Sequence, residues 1–264
     1  MNLTFLGHSA FHFEFDGLHV YVDPYLQPPV DLSHLPQGHL VIFSEGHFDH
    51  GVLMAKELYD RWGCHFLGPK PLMQWMARKW RRRIPPEKLI SISHGETVDF
   101  KGLKITALPA HRPLNRLGKT IMRLFARNSA PAKPVNGYYF KGFYHGGATK
   151  YTPLIAQSLK GKEVHTALLP IGGKYATCTP AEALQIAEEV KARRLVPMHW
   201  QPLKGQVFFR YQSSDLVKLA KTSGSKVKIK ALAIGELLGP DHSHKIESGE
   251  VKPATLAPGE PGGS

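Results

Sequence analysis

Cysteine is scarce in this sequence, and long apolar runs are missing. Its 264 residues include two cysteines, Cys64 and Cys178. Two cysteines exclude a disulfide framework and suit a reducing compartment, with one disulfide between them as the alternative. No run reaches the roughly 18 consecutive apolar residues that a membrane-spanning helix needs. Residues 1–8 have neither a basic start nor an apolar stretch, so we expect no secretion signal and a cytoplasmic protein.

Acidic residues are also few. The chain has 34 Lys and Arg against 21 Asp and Glu, a net charge of +13. Residues 70–94 carry seven basic residues and one Glu, and residues 111–141 carry seven basic and no acidic residues, so these two segments hold the whole excess. Local positive charge usually faces an anionic partner, such as a phosphate, a lipid headgroup, a nucleic acid or an acidic substrate.

Strands and helices alternate along the predicted chain. Residues 11–15 and 18–22 alternate with a period of two around Asp16-Gly17, which predicts an antiparallel hairpin. Further strands are predicted at 39–43, 103–108, 137–144, 166–170, 194–198 and 227–234, and helices at 51–62, 71–83, 180–193 and 214–222. This order indicates a layered α/β domain over residues 1–238. Residues 239–264 are rich in Gly, Pro, Ser and Glu and are expected to form a disordered tail.

Four potential metal ligands lie within six residues directly after the apolar run 40–43. They are Glu45, His47, Asp49 and His50. Carboxylates and neutral imidazoles bind zinc, iron and manganese. His111 and His199 each follow another predicted strand. Since sites in open α/β sheets form outside the carboxyl ends of strands, these histidines can converge on the same point. The pattern predicts a metal-dependent hydrolase.

The segment that reads Glu45-x-His47-x-Asp49-His50 resembles the His-x-His-x-Asp-His loop of the metallo-β-lactamase superfamily. The resemblance is to its metal-dependent hydrolase branch, which includes lactonase-like enzymes and N-acyl phosphatidylethanolamine phospholipase D. The segments 7–10, 22–24, 169–173 and 197–200 resemble other family strands in the same order. The resemblance implies an α/β fold, namely an αββα sandwich of two mixed sheets flanked by helices.

The resemblance also implies two sets of metal ligands, Glu45, His47 and His111 for one ion and Asp49, His50 and His199 for the other. Glu45 stands where the family has its first histidine, and Ala148 stands where it has a bridging aspartate. One or two divalent ions are therefore possible. Zinc is favoured, and Glu45 makes manganese or iron an alternative because a carboxylate is a harder ligand.

The implied chemistry is attack by a metal-bound hydroxide on an ester, lactone, amide or phosphodiester bond. Asp49 is the candidate catalytic residue, which orients the nucleophile or moves its proton, with a plain ligand role as the alternative. Asp23 is predicted to orient a ligand histidine. His8 either points into the same cleft or is a core histidine.

Two basic segments suggest partners. Residues 113–127 predict an amphipathic helix that covers an anionic substrate, contacts a membrane surface or simply packs on the core. Residues 75–83 combine Trp with clustered Arg, which permits nucleic-acid binding, although no recognised motif accompanies them. We expect a small-molecule or lipid substrate that is anionic. The competing hypothesis is a catalytically impaired relative that binds nucleic acid or lipid through residues 70–94 and 111–141.

Overall fold

The computed structural model describes residues 1–26, 28, 30–113, 130–173, 177–201 and 210–239. The predicted helix 113–127, apart from Pro113, and the predicted tail, apart from Gly239, lie outside those residues. Within the described ranges, no helix is both long and apolar enough to span a membrane.

Seven strands form the first sheet. They are β1 (Asn2–Gly7), β2 (Ala10–Phe15), β3 (Leu18–Val22), β4 (Leu40–Ile42), β5 (His65–Pro69), β6 (Leu89–Ile92) and β14 (Leu237–Leu238). Their order is β14-β1-β2-β3-β4-β5-β6. The pairs from β14 to β3 are antiparallel, and those from β3 to β6 are parallel. The alternating pattern around Asp16-Gly17 therefore forms the predicted hairpin of β2 and β3.

The second sheet has the same mixed design. Its strands are β7 (Thr97–Phe100), β8 (Leu103–Pro109), β9 (Asn136–Phe140), β10 (Phe143–His145), β11 (Thr166–Pro170), β12 (Arg194–Met198) and β13 (Lys228–Ile229). The order is β13-β12-β11-β10-β9-β8-β7. The pairs from β7 to β10 are antiparallel, and those from β10 to β13 are parallel.

The two sheets pack face to face through aromatic side chains. The ring of Phe13 lies edge-on to Phe140 and Phe143, with centroids 4.9 and 5.3 Å away. Burying one such side chain contributes roughly 1.5–3 kcal/mol. The helices cover the outer faces: α1 (Ala55–Trp62), α2 (Lys70–Lys79), α3 (Pro153–Ser158), α4 (Pro180–Glu189) and α5 (Ser213–Thr222). The expected αββα sandwich is confirmed.

The sequence predicted the first residues of the helices better than their last residues. Thr179 and Glu182 form a reciprocal capping box, with Pro180 in the first turn of α4. The predicted helix 180–193 ends early, because the chain turns left-handed at Lys191 (φ 53°). The predicted helix 71–83 likewise ends at Lys79.

Other predicted boundaries were wrong. Residues 137–144 form two strands, because Lys141 and Gly142 make a tight turn with positive φ. Only Lys228–Ile229 of the predicted strand 227–234 pairs with the sheet.

The alternative of a single disulfide is excluded. Cys64 and Cys178 are both free and lie in separate hydrophobic cores on opposite outer faces of the sandwich.

Candidate metal site

Chemically reactive side chains gather at one edge of the sandwich, where strands of both sheets end. His8 follows β1, Asp23 follows β3, residues 45–50 follow β4, and His199 follows β12. Backbone hydrogen bonds tie the sheets together here, since the N–H of His199 donates to the carbonyl of His8 at 2.7 Å. The fold therefore brings His199 to the same edge as residues 45–50.

The first cluster consists of His8, Asp49 and His199, and we call it the His8 group. The Oδ2 atom of Asp49 lies 3.4 Å from Nε2 of His8 and 3.8 Å from Nε2 of His199. One ligand atom from each residue lies within 4.8 Å of the other two. Two imidazoles and one carboxylate are a common set for catalytic zinc and for non-haem iron.

The backbone at this edge is unusual. His8, Asp23 and His199 have φ angles of 52°, 46° and 56°, in the left-handed region. Residues other than Gly adopt this region rarely, at a cost of order 1–3 kcal/mol each, and such positions cluster at functional sites. This conformation occurs where His8 and His199 leave their strands beside Asp49, and where Asp23 leaves its strand beside His50.

Burial sets the protonation of the His8 group. Loss of hydration lowers the pKa of His8 and, together with the neighbouring His8 imidazole, holds the pKa of His199 well below its ordinary value. Burial opposes ionisation of Asp49, but the hydrogen bond from His8 and the His50 and His199 imidazoles keep the pKa of its carboxyl well below the usual range. Neutral imidazoles beside an ionised carboxylate are the states in which these residues bind metals.

His50 is oriented from behind. Its Nδ1 lies 2.7 Å from Oδ2 of Asp23, which accepts the imidazole proton. Asp23 is fixed in turn by Ser44, whose backbone N–H and hydroxyl donate to the two carboxylate oxygens at 2.7 and 2.6 Å. Such an acceptor fixes the tautomer of a ligand histidine and turns its other nitrogen toward the ion. The predicted orienting role of Asp23 agrees with this contact.

Two buried atoms at the centre of the site face each other without a hydrogen bond. Nε2 of His50 and Oε1 of Glu45 are 3.2 Å apart, yet neither has a hydrogen-bond partner among the described residues. Burial alone would lower the pKa of His50, but Asp23 and Glu45 raise it to about 9, so in metal-free protein the proton on Nε2 faces ionised Glu45. A metal ion that displaces this proton would take Nε2 as a ligand beside Asp49 and the two histidines, so the donor set of His50 and the His8 group fits a metal ion.

The second cluster is different. It consists of Glu45, His47 and Arg112, and we call it the Glu45 group. Glu45 is fully buried, its Oε2 lies 2.6 Å from Nδ1 of His47, and the guanidinium of Arg112 contacts both. Burial alone would raise the pKa of the Glu45 carboxyl, but Arg112, His47 and His50 lower it to about 2.

The remaining predicted ligand position is His111, the residue before Arg112. His111 is exposed, and its backbone pairs with Lys150 and Thr149. The one ligand grouping found in the described part of the chain does not include its imidazole. Ala148, where the resemblance expects a carboxylate, is buried in the loop after β10.

Three residues of the site were missed or left open by the sequence. His8 was one of two alternatives, and only its left-handed turn and contact with Asp49 place it in the cluster. Arg112 was counted only within the basic segment 111–141. His145 is fully buried at the end of β10, where its ring nitrogens meet the carbonyl of Ser9 and the N–H of Gly147. A histidine at the end of a buried strand or directly after it was the available signal for His145 and His8.

Comparison with known proteins gives the family of the chain. A family profile described as the beta-lactamase superfamily domain matches residues 2–199. A protein of Methanopyrus kandleri named as a metal-dependent hydrolase is 30% identical over 211 residues, which cover 76% of this chain and 84% of that protein. A protein of Pyrobaculum neutrophilum with the same description is 26% identical over 248 residues. The aligned region covers 90% of this chain and 99% of that protein.

Among solved structures, a metallo hydrolase of Ignicoccus hospitalis aligns with a TM-score of 0.69 and 23% identity, covering 90% of this chain and 97% of the other. This likeness shows the shared fold. The profile match and the Methanopyrus relative together identify the family, and the chain belongs to the beta-lactamase superfamily.

Proposed function

We propose that this chain, a metal-dependent hydrolase by its family, holds its metal ion in the His8 group together with His50. The main support is that His8, Asp49 and His199 each place one ligand atom within 4.8 Å of the other two. The resemblance stated from the sequence favours an ester, lactone, amide or phosphodiester as the cleaved bond. A divalent cation supplies a Lewis acid and lowers the pKa of a bound water toward about 7.

The protein's own residues perform the remaining tasks. His8 and His199 are kept neutral by burial, so they offer lone pairs. Asp49 is ionised and is more exposed than His8, at 15% against 2%. Its carboxylate therefore borders the side from which water and substrate approach, where it can orient a nucleophile. Asp23 and Ser44 keep His50 aligned.

Zinc is the metal we favour, with manganese or iron as alternatives. The test begins with metal content after purification without added metal, followed by hydrolysis of p-nitrophenyl acetate, a homoserine lactone and bis-p-nitrophenyl phosphate. We expect bound metal, and hydrolysis of at least one probe that is lost on chelation and restored by the metal. A protein that takes up neither zinc, manganese nor iron would contradict the proposal.

A matched pair of variants separates the site from the rest of the surface. Asp49→Asn should lose hydrolysis because the carboxylate is removed from the His8 group. Asp99→Asn changes a carboxylate at β7 that binds the N–H of Gly102, and it should retain hydrolysis. Equal loss in both variants would show that the activity belongs to something other than this site.

A further inference from the structure

The guanidinium of Arg112 lies between Glu45 and His47, two members of the first set of predicted ligands. We propose that Arg112 takes the place of a second metal ion, so that the site holds one divalent cation and one fixed organic cation. This inference rests on the proposed function, because it presupposes that the His8 group binds a metal.

Contacts in the Glu45 group carry the first step. Arg112 touches both the carboxylate of Glu45 and Nδ1 of His47, the two side chains that a metal in this half would need. The Arg112 side chain is 16% exposed, whereas Glu45 is fully buried. A buried carboxylate needs a compensating charge, and Arg112 provides it from within hydrogen-bond reach. A metal could reach Glu45 and His47 only by displacing this guanidinium.

Charge balance carries the second step. Glu45 and Arg112 carry one charge each and cancel. The loop after β10 offers the methyl group of Ala148 instead of another carboxylate, and the ligand grouping found among the described residues leaves out His111. A divalent cation added beside Arg112 would place like charges together without a second anion to offset them. The His8 group keeps ionised Asp49 for its metal, and Arg112 is close enough to help lower the pKa of His199 after burial and His8.

The third step concerns what Arg112 can do in that position. A guanidinium stays charged at every physiological pH and offers five donors in a planar fork. Its Nε is buried and has no hydrogen-bond partner among the described residues. The group therefore supplies a permanent positive charge beside the metal ligands, where a second cation would otherwise act on an anionic substrate group.

The test counts metal ions in a two-by-two set of variants. Wild type, Arg112→Met, Glu45→His and the Glu45→His/Arg112→Met double variant are stripped with chelator and incubated with zinc alone or manganese alone. Metal per chain is then measured after gel filtration. Arg78→Met, an exposed arginine on α2, is the matched control. We expect about one ion in wild type, Glu45→His and the control, and a rise toward two when Arg112 is replaced.

The outcomes separate this inference from the proposed function. Two ions in wild type would overturn the inference and leave metal-dependent hydrolysis standing. No ion in wild type with either metal would overturn the proposed function. One ion in both the wild type and the folded double variant would show that Arg112 does not exclude a second metal. If Arg112→Met fails to fold because Glu45 is left unpaired, the double variant decides, since it has no buried carboxylate at residue 45.

Discussion

The two halves of the site differ in how a carboxylate is matched by its neighbours. In the His8 group, ionised Asp49 faces neutral imidazoles, so its negative charge remains available for a metal. In the Glu45 group, ionised Glu45 faces a guanidinium, so its charge is already balanced by the protein. The comparison teaches that acidic and imidazole side chains alone do not define a metal site. The position of Arg112, a cation that belongs to the protein, decides which half of the site can bind a metal ion.

The largest expected effect comes from Asp49→Asn. The amide keeps the shape of the side chain but removes the one negative charge of the His8 group. We expect metal affinity and hydrolysis to fall by more than about 100-fold, beyond what is typical for a residue that only supports a ligand. Competition with a chelator measures the affinity. Unchanged metal binding would indicate that the metal ion lies in the Glu45 group, and that the Glu45 group rather than the His8 group is the metal-binding half.

Arg112→Ala should have its main effect on folding. It leaves a fully buried carboxylate without its guanidinium, and breaking such a pair costs about 3–5 kcal/mol. We expect the Glu45→Gln/Arg112→Ala double variant to recover most of that stability, because neither charge remains. Urea unfolding of metal-free protein gives both values. A small loss in the single variant would mean that Glu45 finds its counter-charge elsewhere.

Asp23→Asn should weaken metal binding by about 10–100-fold, the usual effect of removing the acceptor behind a ligand histidine. The amide can offer His50 its NH₂ group instead of an acceptor, so the tautomer is no longer fixed. Chelator competition again measures the change. The control is Asp60→Asn, which alters a surface carboxylate paired with Arg83 and Lys56. Equal affinities in the two variants would contradict the role of Asp23.

The stability of metal-free protein should depend on pH through His50. Burial opposes its charging, but Asp23 and Glu45 outweigh burial and raise the pKa of His50 from 6.5 to about 9. Because the folded pKa is the higher one, this stabilisation is fully present below pH 6.5 and is lost as pH rises toward 9. The Tm of chelated protein should fall across that window. His50→Gln should flatten the dependence, and an unchanged fall would assign it to other groups.

Substitutions on the basic surface of residues 70–94 are expected to have the smallest effect on metal binding. Arg81 and Arg82 are exposed, and with neighbouring basic residues they line a shallow groove beside Trp80. The Arg81→Gln/Arg82→Gln variant should keep full metal content and hydrolysis, since neither residue contacts the two groups. Heparin affinity, measured against salt, tests the competing hypothesis of polyanion binding. Salt-sensitive binding that chelation leaves intact would support that hypothesis alongside the metal site.

The sequence predicted those parts of the site that depend on local pattern. Residues 45–50 are contiguous and follow a buried strand, so their clustering was readable directly. His199 was readable because it ends another buried strand. Contacts between distant segments were not readable: Arg112 meets Glu45 across 67 positions, and a charge run gives no indication of which arginine turns inward. Strands were missed for the same reason, as at β5, where Gly68 and Pro69 resemble a loop until the neighbouring strands pair with them.

The left-handed backbone at His8 and His199 has a consequence for how this protein can change. Glycine would adopt those φ angles without steric cost, so His8→Gly or His199→Gly should relax the chain while deleting a site side chain. Stability and function therefore pull in opposite directions at these two positions. Selection for a sturdier protein alone would erode the site, and histidine would persist there only while its chemistry was useful to the cell.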